Sequence, residues 1–128
     1  MKRGTDFTVD NWLDRQLAEL LWTTSITVFE IRFGIDLLAS GRQKQQLEIA
    51  FANCLEDDLK GRVLDFDRDS AREAGTMAAR RQLAGRPLGF RDIEIAGIVA
   101  SRHATLATRN TRHFEDLGIE LIDPWTNF

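Results

Sequence analysis

Apolar positions along the chain alternate between the 3.6-residue stripe of helices and short continuous runs of strand-forming residues. Residues 10–20 (DNWLDRQLAEL) put Trp12, Leu13, Leu17 and Leu20 on one stripe, which predicts an amphipathic helix. Residues 21–26 (LWTTSI) are β-branched and aromatic and predict a strand. Thr27, with Glu30 three residues on, has the spacing of a capping box and predicts the start of a helix that ends at Ser40-Gly41. A long helix is expected over 42–60, with Leu47, Ala50, Phe51, Cys54 and Leu55 inward and Gly61 as its stop. Residues 62–66 (RVLDF) predict a second strand, and Asp67 or Asp69 can cap the helix that runs on to Ala84 and Gly85. After the loop Gly85-Arg86-Pro87-Leu88-Gly89 comes an apolar helix, FRDIEIAGIVAS, with Ile93, Ala96, Gly97 and Ala100 on one side. Residues 105–108 (TLAT) and 119–122 (IELI) predict two more strands, with a short helix over 112–117 between them.

Strands alternating with helices imply an α/β fold, a parallel sheet flanked by helices. A chain of 128 residues supports one domain, so a single domain over 1–128 is expected. Sites in such sheets lie beyond the carboxyl ends of the strands, here just after Ile26, Phe66 and Thr108.

Composition narrows the classes. No apolar run approaches the ~20 residues of a membrane span, and no apolar segment follows Met1-Lys2-Arg3-Gly4, so neither a membrane protein nor a secretory signal is expected. The single cysteine, Cys54, excludes an internal disulfide framework and a cysteine-cluster zinc site, and fits a cytoplasmic setting. It reads as a small buried hydrophobe; Trp12, Trp22, Trp125 and Phe114 read as core. Net charge is −3, but residues 72–113 hold eight arginines against three acids, about +5, leaving about −8 elsewhere. Arginine presents a planar fork suited to phosphate and stacks on bases, so this stretch is a candidate RNA-facing surface, with Arg80, Arg81, Arg86, Arg109 and Arg112 as contacts. Solvated helix faces would account for the same charges.

Neither G-x-x-x-x-G-K-[ST] nor G-x-G-x-x-G nor G-x-S-x-G occurs, and His103 and His113 are ten apart rather than four. Acids remain as candidates. Glu30 lies among Ile26, Val28, Phe29, Ile31 and Phe33, and Asp92 opens an otherwise apolar helix. A carboxylate on a mainly buried element needs a partner, whether arginine, backbone N–H or a metal ion. Converging carboxylates suit Mg²⁺ or Mn²⁺. Capping and a favourable helix-terminus charge are the simpler alternatives.

Four segments carry a resemblance. Thr27-Val28-Phe29-Glu30-Ile31-Arg32-Phe33-Gly34-Ile35 looks like the T-x-x-E-[LI]-x-[FY]-G-[IL] segment of PIN-domain nucleases. Residues 85–92 (GRPLGFRD) resemble their G-R-P-x-x-x-x-D segment, residues 104–114 (ATLATRNTRHF) their A-T-L-x-T-R-[DN]-x-x-x-F turn, and residues 118–125 (GIELIDPW) their ending. The chain is similar to VapC/FitB-type toxins of bacterial toxin–antitoxin pairs over nearly its whole length. The resemblance implies a PIN-like three-layer fold and metal-dependent RNA hydrolysis. It also implies an antitoxin partner, a homodimer, and a cluster of acids binding Mg²⁺ or Mn²⁺. By that resemblance Glu30 and Asp92 are the second and third acids and Asn110 holds the fourth position, with His113 where a second aspartate often stands. Asn110 brings no charge. The family's first strand, ending D-T-N, has no counterpart here. In the order 3-2-1-4-5 it lies mid-sheet, so a sheet lacking that strand and impaired catalysis are expected. Asp6, Asp10 and Asp14 sit too far into the next helix to be obvious substitutes for its acid. The rival expectation is an inactive module binding an antitoxin helix in a groove formed by residues 12–21 and 31–38.

Overall fold

The computed structural model describes residues 21–124. The expected helix over 10–20 lies outside the described residues, as do Asp6, Asp10, Asp14, Trp12 and Trp125. The chain divides into two compact units, whose described parts are 21–65 and 66–124.

In the first unit, β1 (Thr23–Thr24) pairs in parallel with β2 (Val63–Leu64). The connection carries α1 (Ser25–Asp36), α2 (Arg42–Asn53) and a π-helical turn, Cys54–Asp58. The strand expected over 21–26 is cut to two residues because a helix starts inside it. Thr24 is the N-cap: its hydroxyl accepts from the Thr27 amide at 3.0 Å, so the helix begins at Ser25. Thr27 is therefore not the cap, and Glu30 is not its capping-box partner. Trp22, left before the short strand, is 51% exposed rather than core. The expected inward face of α2 also differs. No α2 residue is buried, and Leu47 and Ile49 are exposed. Among the described residues of this unit, a two-residue strand pair and α1 offer α2 too little surface to cover it. Cross-ties are polar instead. Arg32 bridges Asp36 on its own helix and Glu48 on α2, and Arg62 Nε donates to the Leu21 carbonyl at 2.9 Å.

The second unit is built on α3 (Arg68–Leu83) and α4 (Phe90–Ser101), which run antiparallel. Gly97 makes their approach possible. A Cβ there would lie 2.5 Å from the Ser70 carbonyl oxygen and 2.7 Å from the Ala74 Cβ. Ala74, Met77, Ile93, Ala96, Phe114 and Leu117 form the core, backed by Phe66, Leu88, Leu106 and Leu121. β3 (Thr105–Ala107) pairs in parallel with β4 (Glu120–Ile122). The short α5 (Thr111–Phe114) lies between them in sequence, anchored by the buried Phe114.

Where α3 begins and α4 ends, a polar cluster closes the contact. Asp67 caps α3, accepting from the Ser70 amide at 3.0 Å and its hydroxyl at 2.9 Å. Arg102 reaches both Ser70 Oγ and Asp67. Ser70 is fully buried, and these bonds satisfy it.

All four described strands pair in parallel, as expected, but as two pairs rather than one sheet.

Gly97→Ala is expected to destabilise the protein by about 1–3 kcal/mol, because helix backbones cannot yield to a Cβ as a flexible side chain can. Urea unfolding with an unchanged m-value checks it. The Ser70 amide and hydroxyl, with Arg102 behind them, hold the Asp67 carboxyl below its ordinary value. A depressed folded value contributes stability above the unfolded pKa of about 3.9, lost as pH falls through the folded value. Asp67→Ala should therefore lower the melting temperature at pH 7. The gap from the parent chain should narrow as thermal unfolding is repeated at pH below about 4.

Candidate functional site

Two backbone stops deliver the candidate acid of the second unit. α3 ends at Gly85, whose φ of 76° belongs to the left-handed region that glycine enters without strain. Pro87 and the partly buried Leu88 carry the chain to Gly89, the N-cap of α4. Asp92 then falls in the first turn of α4, where the helix dipole favours a carboxylate.

The turn after β3 delivers its neighbours. The Asn110 amide donates to Thr108 Oγ1 at 3.0 Å, and Asn110 occupies the N-cap position of α5 without a side-chain capping bond. Its carbonyl accepts from the His113 amide at 3.1 Å. His113 Nδ1 lies 3.7 Å from Asp92 Oδ2, with the side chains 56% and 40% exposed. The structure thus brings Asp92 and His113 together, with Asn110 on the same turn as His113. Glu30 belongs to the other unit, half-buried in the second turn of α1.

A carboxylate facing an imidazole nitrogen is a donor pair that fits a divalent ion. Mg²⁺ is commonly held by one or two carboxylates, with waters and substrate phosphates completing its shell. Among the described residues, no three His, Cys, Asp or Glu side chains gather into a metal cluster.

The expected RNA-facing arginines divide. Arg81 is 11% exposed and committed inside the protein. Its Nε donates to the Arg86 carbonyl at 2.7 Å, and its Nη1 to the His113 carbonyl at 3.4 Å and to Asp116. Arg86 bonds the other oxygen of Asp116 while staying largely exposed. Arg80 lines a cavity of about 350 Å³ with Glu73, His103 and Glu120, toward the far end of α4 from Asp92. Arg109 and Arg112 are exposed on the turn that carries Asn110.

Two residues went unmarked in the sequence. Asp116 joins Arg81 and Arg86 across separations of 35 and 30 residues, which no local pattern reveals. Phe90 begins an apolar helix, yet it is 79% exposed, two positions before Asp92. Its apolar neighbours hid it. Cys54, expected to be a small buried hydrophobe, is only half-buried; that burial, and then Asp58, raise its thiol pKa.

A family model described as "PIN domain" matches residues 3–120. A VapC ribonuclease of Sinorhizobium fredii is 35% identical, the alignment covering 97% of this chain and 89% of that protein. The structure of FitAB bound to a DNA fragment superposes with a TM-score of 0.88 at 27% identity, covering 99% of this chain and 89% of that one. The crystal structure of FitAcB from Neisseria gonorrhoeae gives a TM-score of 0.79 at 28% identity, covering 94% and 86%. With parallel strand pairs, an acid opening α4 and the family model spanning nearly all its length, this chain belongs to the PIN-domain family, with VapC and FitB proteins among its relatives.

Proposed function

We propose that this protein is the toxin of a type II toxin–antitoxin pair, a Mg²⁺- or Mn²⁺-dependent endoribonuclease working in the cytoplasm as a homodimer with its antitoxin. The observation that carries this reading is the approach of Asp92 to His113. The naming of a relative as a VapC ribonuclease, and of superposed structures as FitAB complexes, supports it.

Asp92 and His113 would hold the ion, with Asn110 through its amide carbonyl and, by the family pattern, Glu30. When bound, such an ion polarises a phosphoryl oxygen and acidifies the water that attacks in line. The remaining steps belong to the chain. Asn110 orients without adding charge, so metal affinity and turnover of this chain are low for the family. Arg86, Arg109 and Arg112 hold the RNA backbone, and Arg80 extends that contact along α3. Phe90, in the same first turn of α4 as Asp92, offers an exposed ring on which an unstacked base can lie.

Manganese titration followed by electron paramagnetic resonance tests the site, alongside cleavage of a mixed RNA substrate with and without chelator. Asp92→Asn and Glu30→Gln should each weaken Mn²⁺ binding at least about tenfold, the lower end of the loss seen when even an outer-shell partner of a metal is changed. Both should abolish chelator-sensitive cleavage. A chain that binds neither Mn²⁺ nor RNA but captures an antitoxin peptide is a binding module instead. The RNA surface has its own readout. Removing one phosphate contact with Arg109→Gln or Arg112→Gln should lower the slope of log affinity against log salt by about 0.7 each for single-stranded RNA. An unchanged slope removes that residue from the interface.

A further inference from the structure

We propose that Arg81 is the positioning residue of this site, its one guanidinium fixing the distance between Asp92 and His113. Arg81 stands in the last turn of α3. From there it donates to the Arg86 carbonyl, in the loop that leads into α4 and Asp92. It also donates to the His113 carbonyl, in α5, and to Asp116 just beyond α5. Asp116 in turn takes the Arg86 side chain, closing a ring from α3 through the loop to α5 and back.

The need for such a tie follows from the size of α5. A helix of four residues has too few internal hydrogen bonds to hold its own place. Phe114 and, just beyond α5, Leu117 anchor its core side, while the exposed side that carries His113 takes its tie from elsewhere. The His113 carbonyl is a helix-end acceptor with no intrahelical partner, and Arg81 supplies its donor. A rotation of α5 about that anchored side would carry His113 away from Asp92, and the Arg81 contact opposes that rotation. Arginine is required because its donors diverge in a planar fork. A lysine ammonium cannot reach the Arg86 carbonyl, the His113 carbonyl and Asp116 together. This role rests on the reading of Asp92 and His113 as ion ligands, and the experiment separates the two.

The full chain and its Arg81→Gln, Arg81→Lys and Asp67→Ala variants are compared by two measurements. One is the Mn²⁺ dissociation constant well below each melting temperature; the other is amide hydrogen exchange over 110–116 without metal. Arg81→Gln should bind Mn²⁺ about tenfold or more weakly, as outer-shell changes do, and should lose protection in α5. Arg81→Lys should recover part of both. Asp67→Ala loses stability at the start of α3, the opposite end from Arg81, but should keep the parent affinity, which separates positioning from general destabilisation. An Arg81→Gln chain with Mn²⁺ affinity unchanged overturns the proposal. If the parent chain binds no Mn²⁺, the metal reading fails on its own. The exchange data then decide, and unaltered protection of α5 in Arg81→Gln overturns the positioning role. Should Arg81→Gln not fold, Arg81→Lys is judged by the same two measurements.

Discussion

Where α3 crosses α4, their backbones come so close at Gly97 that a single methyl group would collide with the Ser70 carbonyl and Ala74. The second unit depends on this contact. It sets the depth at which Ile93, Ala96 and Met77 meet, and therefore the space left for Phe114 and Leu117 from the turn beyond β3. It also brings two polar groupings into reach at opposite ends of α3. At the start, Asp67, Ser70 and Arg102 satisfy one another around a fully buried hydroxyl. At the end, Arg81 gathers the loop before α4 and the turn after β3. Neither grouping survives a shift of one helix along the other, because hydrogen bonds weaken steeply with distance and angle.

The candidate site inherits its geometry from that frame. Asp92 is set by where α4 starts, and His113 by where α5 is held. Both remain substantially exposed. The arginines around them take two parts. Arg81 is withdrawn from solvent, and Asp116 offsets one of the two charges that Arg81 and Arg86 carry. The local field near Asp92 is therefore less positive than the count over 72–113 suggests. Arg109 and Arg112 lie on the turn that carries Asn110.

Much of the architecture could be read along the chain because it is local. Helix stripes, the glycine stop at Gly85 and the Asp67 cap follow from residues a few positions apart, and the parallel pairing of the short strands follows from their alternation with helices. Misreadings occurred where two local signals competed. Thr24 and Thr27 are both plausible caps, and the earlier one won because its hydroxyl reaches the Thr27 amide. The stripe on α2 predicted burial, but a stripe states only which face could be covered. What covers it depends on neighbours, and α2 has no fully buried residue.

By itself the sequence determined the α/β class, the approximate elements, the family and the identity of Asp92, Asn110 and His113 as residues of interest. Those follow from backbone propensity and from motifs contiguous in the chain. Only the tertiary structure decided that Asp92 faces His113, that Arg81 points inward rather than to solvent, that Asp116 joins the network and that Phe90 stands exposed. Each of these pairs or exposures depends on residues 20 or more positions apart, or on which helix face the core leaves uncovered. A side chain's chemical type is written in the chain, but its partner is chosen by packing. Here that packing is set by a glycine whose missing side chain carries no charge or hydrogen bond to announce it.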